Sequence, residues 1–387
     1  MASGLRARLN AIKSGAGKAQ TAPVQPTRPS GLMSKVSRVP LAEGIYNLSP
    51  VGLRRMGWTG GRFDIERCLF VDTETTGLSG GAGTVVFLVG AGYVEGDALV
   101  IEQLLMRDYA AEPELIDRLA ALLERFNCVC TFNGKNFDMP LLQSRFTMCR
   151  MRERWRDLEN LDLLYPSRRT WKLRIGSCRL GRIETEILGM PREGDLPGSE
   201  VPGRYFAFLK TGDEALLEDI LDHNRQDIAT LATLLVRLCA IHDRPEQLTD
   251  RRDLFSVGRS LERQGELRPA RELYRVAAMP RAAGTIAALA GERVAGLANW
   301  RQYHLLRRAG DVPEEIRVLE QMLRRGQMPG SACVALAKVY EHRLKDCKRA
   351  LQYAEMALDY PEAEPEAALC RRIDRLKRKL KDDTEAE

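Results

Sequence analysis

Asp72 and Glu74 stand one residue apart at the end of the apolar run LFVDTETTGL. Side chains at i and i+2 of a strand share a face, so the two carboxylates point the same way. Like charges that close repel each other, and a divalent cation or a proton relieves the repulsion. All-oxygen donors suit Mg2+ or Mn2+. Two further stretches carry the same kind of side chain. FNGKNFDMPLL follows another apolar run and sets Asn133 and Phe137 around Asp138, which opens a predicted helix. HNRQDIATL lies inside a long helical pattern and puts His223 and Asp227 at i and i+4, adjacent on one face. Each stretch taken singly has a plainer reading. Asp72 can cap backbone N–H groups in a turn with Glu74 solvated, Asp138 can be an N-cap, and His223 with Asp227 can be a surface pair.

The order D-x-E, then N-x-x-x-F-D, then H-x-x-x-D resembles the DEDD exonuclease superfamily, built on the ribonuclease H-like fold. The likeness covers about residues 66–242. It is nearer still to the YprB-like ribonuclease H-like proteins. VDTETTGL, TFNGKNFD, LDLLYPSRRTWK, GDLPGSEVPGRYFAFLKTGD and HNRQDI carry it, together with a helical-repeat tail. The resemblance implies two-metal phosphodiester hydrolysis of DNA or RNA, with 3′–5′ exonuclease action expected. Asp72, Glu74, Asp138 and Asp227 match the metal-binding acids, holding two Mg2+ or Mn2+ ions. His223 matches the general base or water-orienting residue, a role suited to an imidazole that titrates near neutrality. Exonucleases of this kind with histidine usually place it five residues before the last acid. Here it stands four before, as in YprB-like sequences. Asn133 is expected to touch the nucleic acid.

The elements that must position these groups read as follows. RCLFVD, TVVFLVGAGYV and ALVIEQLLM are strands joined by short turns, hence antiparallel. EPELIDRLAALLERF is an amphipathic helix, NCVCTF a buried strand, DMPLLQSRF the start of a helix and NLDLLYP a short strand. CRLGRIETEILG is a helix ending on Gly189, and residues 213–242 form one long helix unbroken by Pro or Gly. A meander followed by αβα elements predicts an α/β domain over 60–242, a mixed sheet flanked by helices. GLSGGAGT lacks the Gly-Lys-Ser/Thr of a Walker loop and reads as a tight connection beside Glu74. From 249 to 380 the strand signal is gone. Leu254, Val257, Gly258, Leu261, Gly265, Ala270, Tyr274, Ala277 and Pro280 follow the tetratricopeptide spacing, with small residues where helices touch. This predicts an all-α helical-repeat domain, which would bind a protein or orient the catalytic domain. A plain helical bundle is the alternative. The last segment, RRIDRLKRKLKDDTEAE, reads as a charged capping helix that frays.

Composition bounds the rest. With 387 residues, 44% hydrophobic and 29% charged, the chain can form two or three soluble cores. Residues 1–45 are expected to be a basic, largely disordered tail, with a short helix marked by Leu5, Leu9 and Ile12. The nine dispersed cysteines contain no C-x-x-C pair, which points to reduced core thiols and a cytoplasmic protein rather than to zinc. No apolar run is long enough for a membrane span. The net charge of +6 permits a nucleic-acid partner without requiring one. Residues 145–182 are more pointed: eleven Lys/Arg stand against four acids, with Phe146, Trp155, Tyr165 and Trp171 interleaved, the aromatics reading first as core residues and the arginines as contacts to a polyanion. Arg168, Arg169 and Lys172 in SRRTWKLR are the expected contacts to the phosphate backbone. The rival readings are a non-catalytic nucleic-acid-binding adaptor and a scaffold that works through its helical repeats.

Overall fold

The structure is a computed structural model that describes residues 29–77, 83–151, 158–192, 194, 196–280 and 286–385. The tail helix expected at Leu5–Ile12, Trp155 and most of the glycine connection after Gly77 lie outside those residues.

Six strands form one mixed sheet: β1 (Leu32–Pro40), β2 (Cys68–Thr75), β3 (Val86–Glu95), β4 (Ala98–Met106), β5 (Cys128–Thr131) and β6 (Glu159–Asp162). Their order is β1-β4-β3-β2-β5-β6. The first four pair antiparallel, while β5 and β6 add in parallel. β3 and β4 are apolar on both faces because helices cover both, and Gly96, at φ 61°, makes the tight turn between them. One expectation is corrected here. Order begins before residue 45, since Leu32–Pro40 pairs along the whole of β4 as an edge strand. Its exposed side chains include Lys35 and Arg38, charges that discourage further edge pairing.

On one face of the sheet, α1 (Pro50–Met56), α4 (Leu164–Ile175) and the 29-residue α7 (Ala215–Asp243) cover Cys68, Phe70, Cys130 and Leu161. On the other, α2 (Glu112–Leu123) and α3 (Asp138–Met148) cover Leu69, Val71 and Val129. The alternation along β2 therefore decides which helix each of its residues meets. A short α5 (Leu180–Ile183) runs into a wider helical turn ending at Gly189, and α6 (Val201–Thr211) stacks Tyr205 on Phe87.

Residues after 249 are helical, as expected: α8 (Arg251–Arg263), α9 (Leu267–Ala277), α10 (Ile286–Ala309), α11 (Val312–Arg324), α12 (Pro329–Val339), α13 (Cys347–Met356) and α14 (Glu366–Glu385). α8 and α9 cross closely because Gly258 has no side chain: a Cβ there would lie 2.8 Å from the Tyr274 ring. The first pair is not separate from the sheet. Its Leu254, Val257 and Tyr274 belong to the same apolar core as Phe70 and Trp171. Arg174 pairs with Asp253 at 3.0 Å, and Arg55 with Glu266 at 2.6 Å. The last helix is docked rather than frayed over most of its length. Leu369, Ile373 and Leu376 are buried, and Arg372, Arg375 and Lys379 converge on the buried Glu341 at 3.0, 2.8 and 3.1 Å. No helix among the described residues is long and apolar enough to cross a membrane.

Candidate active site

Asp72 and Glu74 lie at the end of β2, on the same face as Cys68 and Phe70, and so turn toward α7. The pairing of β2 with β3 slips between Glu74 and Thr75, a bulge of the kind that re-aims side chains beside sites. α7 approaches β3 very closely there because β3 carries Gly90 and Gly92. A Cβ at Gly90 would lie 2.3 Å from Asn224, and one at Gly92 would lie 2.3 Å from Ile228. These strand glycines make room for a helix.

The helix surface delivered by that close approach carries His223, Asn224 and Asp227. Asn224 is fully buried and donates from Nδ2 to Asp72 Oδ2 at 2.9 Å. Its own Oδ1 accepts from Gln103 Nε2 at 3.1 Å, and the same nitrogen reaches Leu221 O at 2.7 Å. His223 Nε2 lies 3.8 Å from Glu74 and 3.7 Å from Asp227, both longer than direct hydrogen bonds. Burial, then the negative charges of Asp227, Glu74 and Asp138, push the Asp72 carboxyl well above the usual carboxylate range, against the Asn224 hydrogen bond. The four acids separated along the chain thus share one electrostatic field.

Asp138 enters from the other side of the strand. Thr73 points toward α3, and its hydroxyl donates to Asp138 Oδ1 at the first residue of that helix. Burial raises this carboxyl to about 6, with the Thr73 hydrogen bond opposing. The loop before it is shaped by Asp162, at the end of β6. Asp162 accepts from the backbone N–H of Asn133 (2.8 Å), Lys135 (3.1 Å) and Leu164 (3.0 Å). Asn133 takes the left-handed backbone at φ 67°, which asparagine tolerates better than most residues.

Arg192 and Glu184 escaped the sequence reading, as did Asn224, Gln103 and Thr73. Arg192 donates to Asp227, pairs with the fully buried Glu184 at 2.6 and 2.7 Å, and sets Nη1 3.1 Å from His223 Nδ1. Burial opposes its charge, but hydrogen bonds to Glu184 and the charge of Asp227 prevail and raise its pKa. Asp227 is raised by burial, while His223 and Arg192 oppose the shift. The missed signal is that Glu184 and Arg192 are charges in segments that fold back onto α7. No periodicity marks them.

A hard divalent cation fits this centre in donor type and charge. The acids are oxygen donors, and their mutual repulsion at Asp72 asks for positive charge. The spacing is not closed in this arrangement. Among the described residues no group of three or more His, Cys, Asp or Glu side chains stands at metal-holding distance, and Arg192 takes the place of a cation against Asp227.

The expected nucleic-acid contacts separate. Arg168 and Lys172 are exposed on α4, but Arg169 turns inward and donates to Met56 O. Phe146 and Trp171 are core residues, and the Tyr165 hydroxyl accepts from Asn136 Nδ2 at 2.8 Å.

This fold has counterparts. Residues 69–239, from β2 to the end of α7, match the family model described as RNase_H superfamily, so the six-stranded sheet with its flanking helices is a ribonuclease H-like domain. Over 327 residues the chain is 32% identical to the "Uncharacterized protein YprB" of Bacillus subtilis (strain 168), covering 82% of this chain and 76% of that one. The chain belongs to the YprB family, and its residues 69–239 carry a domain of the RNase_H superfamily. Among solved structures, the family B DNA polymerase from the hyperthermophilic archaeon Pyrobaculum calidifontis is 16% identical, with a TM-score of 0.38. That match covers 53% of this chain and 30% of the polymerase.

Proposed function

We propose that this protein is a metal-dependent nuclease that hydrolyses phosphodiester bonds of DNA or RNA, acting as a 3′–5′ exonuclease of the DEDD type. The observation that carries the reading is the convergence of Asp72, Glu74, Asp138 and Asp227, where burial and then the charges of the other three acids push the Asp72 carboxyl well upward, with His223 standing between Glu74 and Asp227.

Asp72, Glu74, Asp138 and Asp227 are the residues that would hold two Mg2+ or Mn2+ ions. Such a pair, when bound, supplies activation of water and charge relief on the leaving oxygen. The chain's own residues set the stage. Asn224, backed by Gln103, fixes the Asp72 carboxylate toward the strand end. An arginine N–H can only donate, so when the His223 ring is neutral its Nδ1 accepts from Arg192 and its proton sits on Nε2. In that state His223 donates into the gap between Glu74 and Asp227 and orients a water there. Asp162 holds the Asn133–Lys135 loop, presenting Asn133 as a contact to the strand.

The sheet unit, residues 60–242, is the catalytic part. Consecutive helices follow one another through 249–380, and Gly258 and Gly330 sit where neighbouring segments approach closely, which supports a tetratricopeptide-like module with a surface for a protein partner. All nine cysteines are free, in keeping with a cytoplasmic setting.

End-labelled single- and double-stranded DNA and RNA, incubated with Mn2+ or Mg2+, provide the test. A metal-dependent ladder shrinking from the 3′ end, absent with EDTA and in Asp72→Asn and Asp227→Asn, is expected. Intact substrates with folded wild-type protein would leave an adaptor or scaffold as the better reading.

A further inference from the structure

A hollow of about 570 Å³ lies where α4 meets α8 and α10, and its lining is cationic. Arg168, Arg169 and Lys172 come from α4, and Arg259 and Arg263 come from α8; no acid lines it. Among the described residues no carboxylate pairs with Arg168, Lys172, Arg259 or Arg263. The acids of α8 are engaged elsewhere: Asp253 with Arg174, and Glu262 with the Tyr274 hydroxyl (2.6 Å) and Arg301 (3.5 Å). Arg169 feels the crowding, its pKa lowered by burial and then by Arg263. Five like charges facing one hollow repel one another unless an anion fills it.

One helix, α4, links the hollow to the candidate centre. α4 starts two residues after Asp162, which holds the loop leading to Asp138. Tyr165, in the first turn, is bonded to Asn136. Tyr165, Arg168 and Lys172 recur at i, i+3 and i+7, along one side of the helix. At 1.5 Å per residue, Lys172 lies about 10 Å beyond Tyr165. The far wall adds flat and apolar surface: the Arg259 guanidinium is 5.9 Å from the Phe255 ring centre, and Leu173 and Leu297 are exposed at the rim. Phosphates take the cations, while bases stack on guanidinium planes and pack on such side chains.

We propose that this cleft, closed by the helical region through Arg259 and Arg263, is a binding track for the backbone of a single-stranded nucleic acid running from the acid centre. The proposal deepens the nuclease reading and rests on it for the direction of the track. The helical region then contributes to substrate binding, which nothing in its sequence announced.

The test is fluorescence anisotropy of a labelled fifteen-residue oligothymidylate in EDTA, where no turnover intervenes. Arg259→Ala/Arg263→Ala is expected to weaken binding at least tenfold and to flatten the salt dependence by about 1.4 in log–log slope, about 0.7 for each lost phosphate contact. Arg259→Lys/Arg263→Lys, which keeps the charge, is expected to recover most of the affinity, separating a contact from a folding defect. Arg371→Ala/Arg378→Ala, which removes the same charge from exposed positions of α14, is expected to leave binding unchanged. Equal weakening by that control, unchanged binding by the cleft variant, or no binding by the wild type overturns the proposal. So does displacement of the strand by millimolar phosphate or thymidine monophosphate, which marks a simple anion site, or by polyglutamate at equal charge, which marks a surface for acidic protein. Because no catalysis is measured, a nuclease assay that fails leaves this result standing, and the reverse holds too.

Discussion

Arg192 places Nη1 3.1 Å from His223 Nδ1 while its other nitrogens hold Asp227 and the buried Glu184. One guanidinium therefore touches two residues of the candidate centre and serves as counter-charge to Asp227 and Glu184. A cation that binds Asp227 must compete with it.

The first prediction follows from that competition. Arg192→Met leaves Asp227 and Glu184 without their cation, and removing one partner of a buried ion pair costs about 3 kcal/mol. The urea midpoint of the metal-free variant should fall accordingly. Mn2+ should then stabilise the variant more than the wild type, by binding N in preference to U. Calorimetric titration and thermal melts with and without Mn2+ check this, and equal metal responses would show that Arg192 is no stand-in.

Asp72 should behave in the opposite way. Its carboxylate is pushed upward by burial and three neighbouring acids, so Asp72→Asn removes a repelling charge while keeping an oxygen for the Asn224 amide. The metal-free variant is expected to melt higher than the wild type, by about 2–4 °C for each kcal/mol of repulsion relieved. Nuclease activity should disappear. A lower melting point in EDTA would mean that repulsion is not the dominant feature of the centre.

Gly90→Ala tests the seat of α7. The added Cβ would lie 2.3 Å from the Asn224 side chain, too close for any carbon contact. The helix must shift or Asn224 must leave Asp72. Overpacking of this kind costs about 1–3 kcal/mol, and activity should fall further than stability alone explains. Gly61→Ala, with open space around it, is the matched control and should change neither.

His242 supplies the pH dependence. It is fully buried, its Nε2 lies 3.2 Å from the Thr170 hydroxyl, and burial with the nearby Arg169 and Arg55 lowers its pKa to about 3. The unfolded ring titrates near 6.5, so its contribution to stability is present above that pH and is lost as pH falls from 6.5 toward 3. The loss is on the order of several kcal/mol across that range. Urea midpoints at pH 7.5 and 5 should therefore differ more for the wild type than for His242→Gln. Parallel pH profiles would assign the acid sensitivity to other groups.

The sequence alone determined the local parts. The antiparallel meander was legible because turn residues separate apolar runs of strand length, and the 29-residue α7 because no Pro or Gly interrupts its pattern. His223 and Asp227 were neighbours by helix geometry, and Asp72 and Glu74 by the alternation of a strand. The helical character after 249 was written in small residues such as Gly258, whose use is local to one crossing. Tertiary structure alone decided what joins these parts. Leu32–Pro40 became a strand because β4 offered an open edge, not because its own pattern demanded one. Asp138 came to the far side of β2, Arg192 folded onto Asp227, and Arg169 turned inward to Met56 while Arg259 and Arg263 closed the basic cleft. Periodicity records which way a side chain points from its own element. Which charge it then meets depends on how elements distant in the chain pack, and burial sets the strength of that meeting.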